Sequence, residues 1–322
     1  MHTVCVETLR LVRDYLSNRF QRTKVNGAYS TWEELLTGVP QGSVLGPLLF
    51  NIYINDMFYM IERTELCNFA DDTTPYSCHH NLQVAMTNVE HDCAILVEWF
   101  CDNFMTLNAE KCHLLVSGIK DVLMSAKVGD ATIWEECVAK LLGILIDSDL
   151  TFNDHVKMIC KKASQKLSAI SRMADIISIE KRKTLLSAFF ESQFSYCPLI
   201  WMFCSRKLNT RINRIHERAL RIAYNDYTSS FEQLLIKDNS STIHKRNLRA
   251  LATEMYKISH DLSPPFMREL FIEKTGNYNT RSTYVVDIDK SNEIHCTKKL
   301  NFKIPKLKQR TSVSNQSEGW GR

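Results

Sequence analysis

The apolar residues of this chain change their spacing near residue 154, and that change limits what it can fold into. Before it, short strand-like runs alternate with helical ones; from His155 through roughly Asp261 the period is helical. Val4, Leu9, Val12 and Leu16 fit one face of an opening helix. Asn26-Gly27, set between strand-like runs, is a strong hairpin signal. A loop punctuated by Gly38, Pro40, Gly42 and Gly46 leads to Pro47, which suits a first helical position. Leu48, Leu49, Ile52, Tyr53, Asp56 and Met57 follow at helical spacing. The stretch from Glu65 to Ser77 predicts a hairpin whose second strand Pro75 confines to an edge or ends early. A long amphipathic helix is predicted from Leu82 to Phe104, apolar at Leu82, Met86, Val89, Cys93, Leu96, Phe100 and Phe104. "LNAEKCHLLVSG" reads as a further strand, and "KLLGILIDSDLTF" as two strand-like runs around Asp147 and Asp149. From about Gly276 the chain turns polar and loses its periodicity, a composition that predicts disorder at the end. The expected fold is α+β, in three parts: a mixed domain over 1–154, a helical one over 155–265, and a C-terminal segment over 266–322. A chain of 322 residues is long enough to bury two such cores.

Charge divides along the same line. Residues 1–154 carry 10 Lys and Arg against 21 Asp and Glu, a net of −11; residues 155–260 carry 19 against 8, a net of +11. The overall +4 conceals this split. An acidic half joined to a basic half suits one part that handles cations and another that handles phosphates.

The eleven cysteines form no Cys-x-x-Cys pair and mostly stand in apolar surroundings, which predicts reduced thiols in a cytoplasmic or nuclear protein. His79, His80, His91 and Cys93 fit no common zinc-finger spacing. The sequence holds no run of about 18 apolar residues, so no membrane-spanning helix is predicted. The opening segment is interrupted by Glu7 and Asp14, unlike the apolar core of a secretion signal, so secretion is not expected.

Two local patterns carry chemistry. Asp71 and Asp72 are adjacent, and their mutual repulsion calls for solvent, a basic partner or a metal ion. Arg211, Arg214, Arg218 and Arg221 recur at steps of three, four and three, which places them on one helical face; Lys157, Lys161, Lys162 and Lys166 form a second cluster. Such stripes suit nucleic-acid phosphates, bound without base specificity and with strong salt dependence.

Three segments in order resemble the reverse transcriptases of non-LTR, LINE-type retrotransposons of the jockey-like kind. They are Gly38-Val-Pro-Gln-Gly-Ser-Val-Leu-Gly-Pro-Leu-Leu-Phe50 with Tyr53-Ile-Asn-Asp56, then Phe69-Ala-Asp-Asp72, then Leu107-Asn-x-x-Lys111 with Leu142-Gly-Ile-x-Ile-Asp147 and His155. The similarity covers about residues 10 to 225. It implies a partial right-hand polymerase palm followed by a mostly helical thumb or connection. It also implies that Asp71 and Asp72 hold Mg²⁺ or Mn²⁺, Asp71 as the direct ligand and Asp72 in support. Such ions would align a primer hydroxyl with a deoxynucleoside triphosphate. Lys111 matches the lysine that assists the departing pyrophosphate. Pro40, Gln41, Gly42, Ser43, Phe69 and Ala70 match positions lining nucleotide and template. RNA template and DNA primer are the implied partners, with the two basic clusters on the duplex backbone. Phe69 stands where many relatives have tyrosine, and Asp147 and Asp149 read as turn residues rather than ligands.

The resemblance is incomplete at one point. Family palms take a further metal-binding aspartate from an earlier "A-F-D"-like strand, followed by a helix corresponding to Val4–Leu16, and the basic fingers also precede that helix. Asp14 is no substitute, because it lies on the helix itself. The expectation is a truncated polymerase domain without useful activity alone; a non-catalytic nucleic-acid-binding remnant is the alternative.

Overall fold

The computed structural model describes residues 5–40, 42–118 and 123–269. Gln41 and the C-terminal stretch expected to be disordered lie outside the described residues. The chain divides into two compact units, Met1–Lys111 with Ala126–Ile133, and Cys112–Ser125 with Trp134–Arg322. Long helices and two-stranded antiparallel sheets make the fold α+β.

The first unit opens with helix α1 (Val6–Leu16), which is amphipathic yet has no buried residue. A nested hairpin follows: β1 (Phe20–Gln21) pairs with β4 (Glu33–Glu34) outside β2 (Lys24–Val25) and β3 (Ala28–Tyr29). Asn26 and Gly27 turn it with φ of 47° and 86°, the double left-handed pattern that favours this dipeptide. The Arg22 guanidinium stacks over the rings of Tyr29 and Trp32 at 3.9 and 4.6 Å.

Helix α2 (Gly46–Ile54) starts from a structured loop. Ser43 Oγ donates to the Pro40 carbonyl at 2.7 Å and accepts the Gly46 N–H at 3.0 Å. A Cβ at Gly46 would meet that Oγ at 2.9 Å and the carbonyl at 3.2 Å, so only glycine fits so close an approach. Pro47, lacking an N–H, sits in the first turn at no cost. A 3₁₀ segment, Asn55–Tyr59, tightens the chain and swings Met57 into full burial.

The hairpin of β5 (Glu65–Phe69) and β6 (Asp72–Tyr76) comes next, then α3 (Leu82–Asp102). Asn81 caps α3 by accepting the Gln83 N–H at 2.9 Å. The helix stops short of the predicted Phe104, which adopts φ of 54° and is 98% exposed. Trp99 takes the buried place at that end, in a cluster with Ile54, Met57 and Leu96. Strands β7 (Ser125–Val128) and β8 (Ala131–Trp134) pair with each other, and the Lys127 N–H donates to Glu90 on α3 at 2.9 Å.

"LNAEKCHLLVSG" is not a strand. The Asn108 side chain accepts the Glu110 N–H at 3.1 Å and its carbonyl accepts the Lys111 N–H at 3.0 Å, curling Ala109–Lys111 into a 3₁₀ turn. Such local side-chain bonding competes with extension. Leu114 makes only an isolated bridge to Glu135.

In the second unit, β9 (Val138–Leu141) and β10 (Ile144–Asp147) form a hairpin turned by Leu142 and Gly143, with φ of 46° and 86°. The Tyr196 hydroxyl donates to the Leu142 carbonyl at 2.6 Å. Asp147 accepts the N–H groups of Thr151 and Phe152 at 2.9 and 2.6 Å, which fixes the chain before α4 (Asn153–Ser171). Helices α5 (Ile179–Leu185), a π-helical segment Leu186–Glu191, α6 (Ser192–Ser195), α7 (Pro198–Trp201), α8 (Arg206–Tyr224), α9 (Phe231–Lys237), α10 (Ile243–Ser259) and α11 (Phe266–Glu269) complete it. Ser205, Ser230 and Thr242 cap α8, α9 and α10, Ser230 in a reciprocal box with Gln233. The core joins α4, the π-helical segment, α7 and α8 through Ile159, Leu167, Phe190, Trp201 and Ile212. Each such side chain contributes about 1.5–3 kcal/mol on burial. No helix among the described residues is long and apolar enough to cross a membrane.

Candidate active site

Phe69 pairs with Asp72, which leaves Ala70 and Asp71 as a two-residue loop at the tip of the β5–β6 hairpin. Ala70 has φ of 54°, a left-handed value that a Cβ disfavours by roughly 1–2 kcal/mol. Strain of this kind at a loop tip persists only where the surroundings hold it. Leu66 and Asn68 turn toward the protein, and Asn68 Nδ2 donates to Thr73 Oγ1 across the ladder at 2.8 Å. Glu65 and Tyr76 close the other end through a carboxylate–phenol hydrogen bond, which pushes the Tyr76 phenol well above its usual range.

Both aspartates are exposed, and neither makes an ion pair or hydrogen bond with another side chain among the described residues. Two neighbouring carboxylates thus project from a short, registered turn with their oxygens uncommitted. Hard oxygen donors suit a divalent cation that keeps several waters and substrate oxygens. The fit is partial: among the described residues no group of three or more His, Cys, Asp or Glu side chains could hold an ion. His79, His80, His91 and Cys93 therefore form no such group, and His91 is engaged with Asp92 at 3.0 Å.

The other positions from the sequence fall on separate elements. Pro40, Gly42 and Ser43 form the loop before α2. Gly42 has φ of 80° with open space where a Cβ would stand, so its backbone angle rather than crowding demands glycine. Lys111 ends the 3₁₀ turn after Asn108, exposed and outside any ion pair with Asp71 or Asp72.

The basic residues belong to the second unit, on α4 and α8. Lys161, Lys162, Arg211 and Arg214 are exposed and uncommitted among the described residues. The others are engaged. Lys157 pairs with Asp154 at 2.8 Å, Lys166 lies 5.9 Å from the Phe189 ring centre, and Arg218 donates to Ser168 Oγ at 3.3 Å. Arg221 is half-buried and pairs with Glu217 at 2.7 Å.

Sequence reasoning missed Asp92. It is fully buried on α3, and it accepts backbone N–H groups from Arg63 and Thr64 at 2.9 and 2.7 Å. Burial alone would raise its pKa, but hydrogen bonds from His91, Thr64 and the backbone overcome that and hold it at about 2. A signal existed: Asp92 lies three residues after Val89 and four before Leu96, inside the apolar stripe.

Residues 1–146 match the family model of reverse transcriptase (RNA-dependent DNA polymerase). Among curated proteins, the probable RNA-directed DNA polymerase of the Drosophila melanogaster X-element transposon is 26% identical over 66% of this chain and 24% of its own length. The RNA-directed DNA polymerase of the mobile element jockey from the same organism is 27% identical over 50% of this chain and 18% of its own length. Residues 1–146 are thus similar to a reverse transcriptase domain of the non-LTR retrotransposon kind. The probable polymerase of transposon BS adds 24% identity over 66% of this chain, which spans a quarter (25%) of that protein. This chain thus covers 18% to 25% of these relatives. The reverse transcriptase family works with divalent metal ions, the chemistry for which the exposed aspartate pair has the donors. No solved structure matches.

Proposed function

We propose that this chain supplies the aspartate turn and the nucleic-acid grip of a polymerase that copies an RNA template onto a DNA primer. The observation that carries the reading is the uncommitted Asp71-Asp72 pair on a registered two-residue turn inside the residues that match the reverse transcriptase family. In this reading the first unit is a partial palm and the helices from α4 onward a thumb or connection. Asp71 is a direct ligand of Mg²⁺ or Mn²⁺ and Asp72 its support. Bound there, such ions would activate a primer hydroxyl and neutralise the leaving pyrophosphate. Lys111 supplies a proton or countercharge to that pyrophosphate. Pro40, Gln41, Gly42, Ser43, Phe69 and Ala70 line the incoming deoxynucleoside triphosphate and template. Lys161, Lys162, Arg211 and Arg214, the uncommitted cations, meet the duplex phosphates first, and Lys157, Lys166, Arg218 and Arg221 join where their present contacts open.

Catalysis by two ions needs a further acidic ligand, and no described residue stands beside the pair to provide it. A further acid from outside the described residues would have to complete such a site, and we propose that this chain alone does not extend a primer. The test is primer extension on an RNA template with Mg²⁺ or Mn²⁺, alongside binding of Mn²⁺ alone. Mn²⁺ binding lost in Asp71→Asn, without extension, supports the reading. Extension that vanishes in Asp71→Ala would overturn the inactivity; Mn²⁺ binding untouched by Asp71→Asn would overturn the ligand assignment. A purely nucleic-acid-binding role is favoured by the uncommitted cations of α4 and α8. It is the reading to adopt if duplex binding is steeply salt-dependent while Mn²⁺ does not bind at all.

A further inference from the structure

Asp92 is the one fully buried carboxylate among the described residues. Its donors come from a single short segment. Oδ2 accepts the N–H groups of Arg63 and Thr64 at 2.9 and 2.7 Å and the Thr64 hydroxyl at 2.7 Å. Oδ1 accepts the Glu62 N–H at 3.4 Å and meets His91 Nδ1 at 3.0 Å. Three consecutive backbone amides thus converge on one side chain. They belong to the residues immediately before β5, where strand pairing has not begun and no ladder partner would satisfy them.

The placement matters because of what β5 carries. Hairpin β5–β6 is a two-stranded sheet on its own, and such a ribbon has little stability unless it is docked. On β5, Leu66 packs against the Ile54–Met57–Leu96–Trp99 cluster, and the Asp92 clamp holds the residues that lead into the strand from the same helix. Two points of attachment set the direction in which a rigid ladder leaves α3. The aspartate turn lies at its far end. A carboxylate suits the task, since charge-assisted bonds to N–H groups are about twice as strong as neutral ones.

We propose that Asp92 is a positioning residue for the aspartate turn: by gathering the amides of residues 62–64 onto α3, it sets where Asp71 and Asp72 stand. The proposal rests on the reading of that pair as metal-holding acids, so its test has one arm that needs metal and one that does not.

The metal-free arm is amide hydrogen exchange on the full chain. In Asp92→Ala, amides from Thr64 to Tyr76 should exchange at least about tenfold faster, while those of α8 in the second unit stay unchanged. Asp92→Asn keeps one oxygen for the Arg63 and Thr64 donors and should recover most of the protection. The metal arm is the affinity for Mn²⁺ alone. Asp92→Ala should weaken it by about 10–100-fold, the range for groups that orient ligands from behind. Leu96→Ala loosens the apolar attachment of Leu66 and leaves the clamp intact, so it should weaken Mn²⁺ binding less than Asp92→Ala does.

Equal Mn²⁺ losses in Leu96→Ala and Asp92→Ala would reduce Asp92 to an ordinary core residue and overturn the proposal. So would wild-type exchange at the hairpin in Asp92→Ala. If Asp92→Ala does not fold, Thr64→Val removes only the hydroxyl donor; wild-type hairpin exchange in both Thr64→Val and Asp92→Asn then overturns it. Absence of Mn²⁺ binding in the wild type would sink the metal reading, and the exchange arm alone would still decide whether Asp92 holds the hairpin.

Discussion

Ala70 and Asp92 mark the two ends of one hairpin and make opposite predictions. Ala70 holds the tip at φ of 54°, where glycine is at ease and alanine is not. Ala70→Gly should therefore stabilise the hairpin by about 1 kcal/mol, read from urea unfolding or from exchange of the β5–β6 amides. A destabilisation would mean that the Cβ makes a contact outweighing the strain. At the base, the pKa of Asp92 is about 2, below the ordinary aspartate value of 3.8. The unfolded chain takes up that proton first as pH falls, so the clamp's contribution is complete above about pH 5 and drains away toward pH 2. The stability gap between wild type and Asp92→Asn should accordingly narrow over that interval. A gap that stays constant would show that the carboxylate charge contributes nothing.

Elements show how one residue type takes different work according to its neighbours. Asp147 closes the signature Leu142-Gly-Ile-x-Ile near a second acid, Asp149, and its carboxylate is spent on the N–H groups of Thr151 and Phe152. It joins β10 to α4, and Asp147→Ala should cost about 1 kcal/mol in the second unit, measured by thermal unfolding. Helix α8 sorts its arginines in the same way. Among the described residues Arg211 and Arg214 make no ion pair, whereas Arg221 is held by Glu217. Removing both Arg211 and Arg214 should lower the slope of log affinity against log salt by about two, near 0.9 per phosphate contact; Arg221→Ala should leave it within about half that of one contact. Equal effects from all three substitutions would mean that the intrahelical pair opens on binding.

At the scale of the molecule, the two units differ in how acid acts on them. In the second, His216 is buried between Phe190 and Phe231, and burial together with the nearby Arg246 charge holds its pKa down at about 4. Burial also lowers the pKa of His155, with Lys162 adding to the effect, and that of His244. The unfolded chain protonates such histidines near 6.5 and the folded chain only at lower pH. Stability of this unit should therefore be level above about pH 7 and fall as the pH drops toward 4. His216→Phe should flatten that decline, as followed by unfolding midpoints of α8 amides at about pH 7 and 5. An unchanged decline would assign the acid sensitivity to His155 and His244.

The turns and helices were legible in the residues because their causes are local. Asn26-Gly27 needs only its own backbone angles to make a hairpin, and the apolar stripe of α3 needs only its own period. The family was legible too, since its motifs are side-chain identities in a fixed order. The tertiary structure alone decided which polar groups are spent and which remain free. It committed Arg221 and Asp147 to neighbours, left Asp71 and Asp72 without a side-chain partner among the described residues, curled residues 108–111 where a strand was expected, and buried Asp92 under donors 28 to 30 residues away. The physical reason is that those donors are backbone N–H groups, which nearly every residue carries. A carboxylate can find them only when the chain folds back, and nothing in the identities of Glu62, Arg63 and Thr64 records that it will.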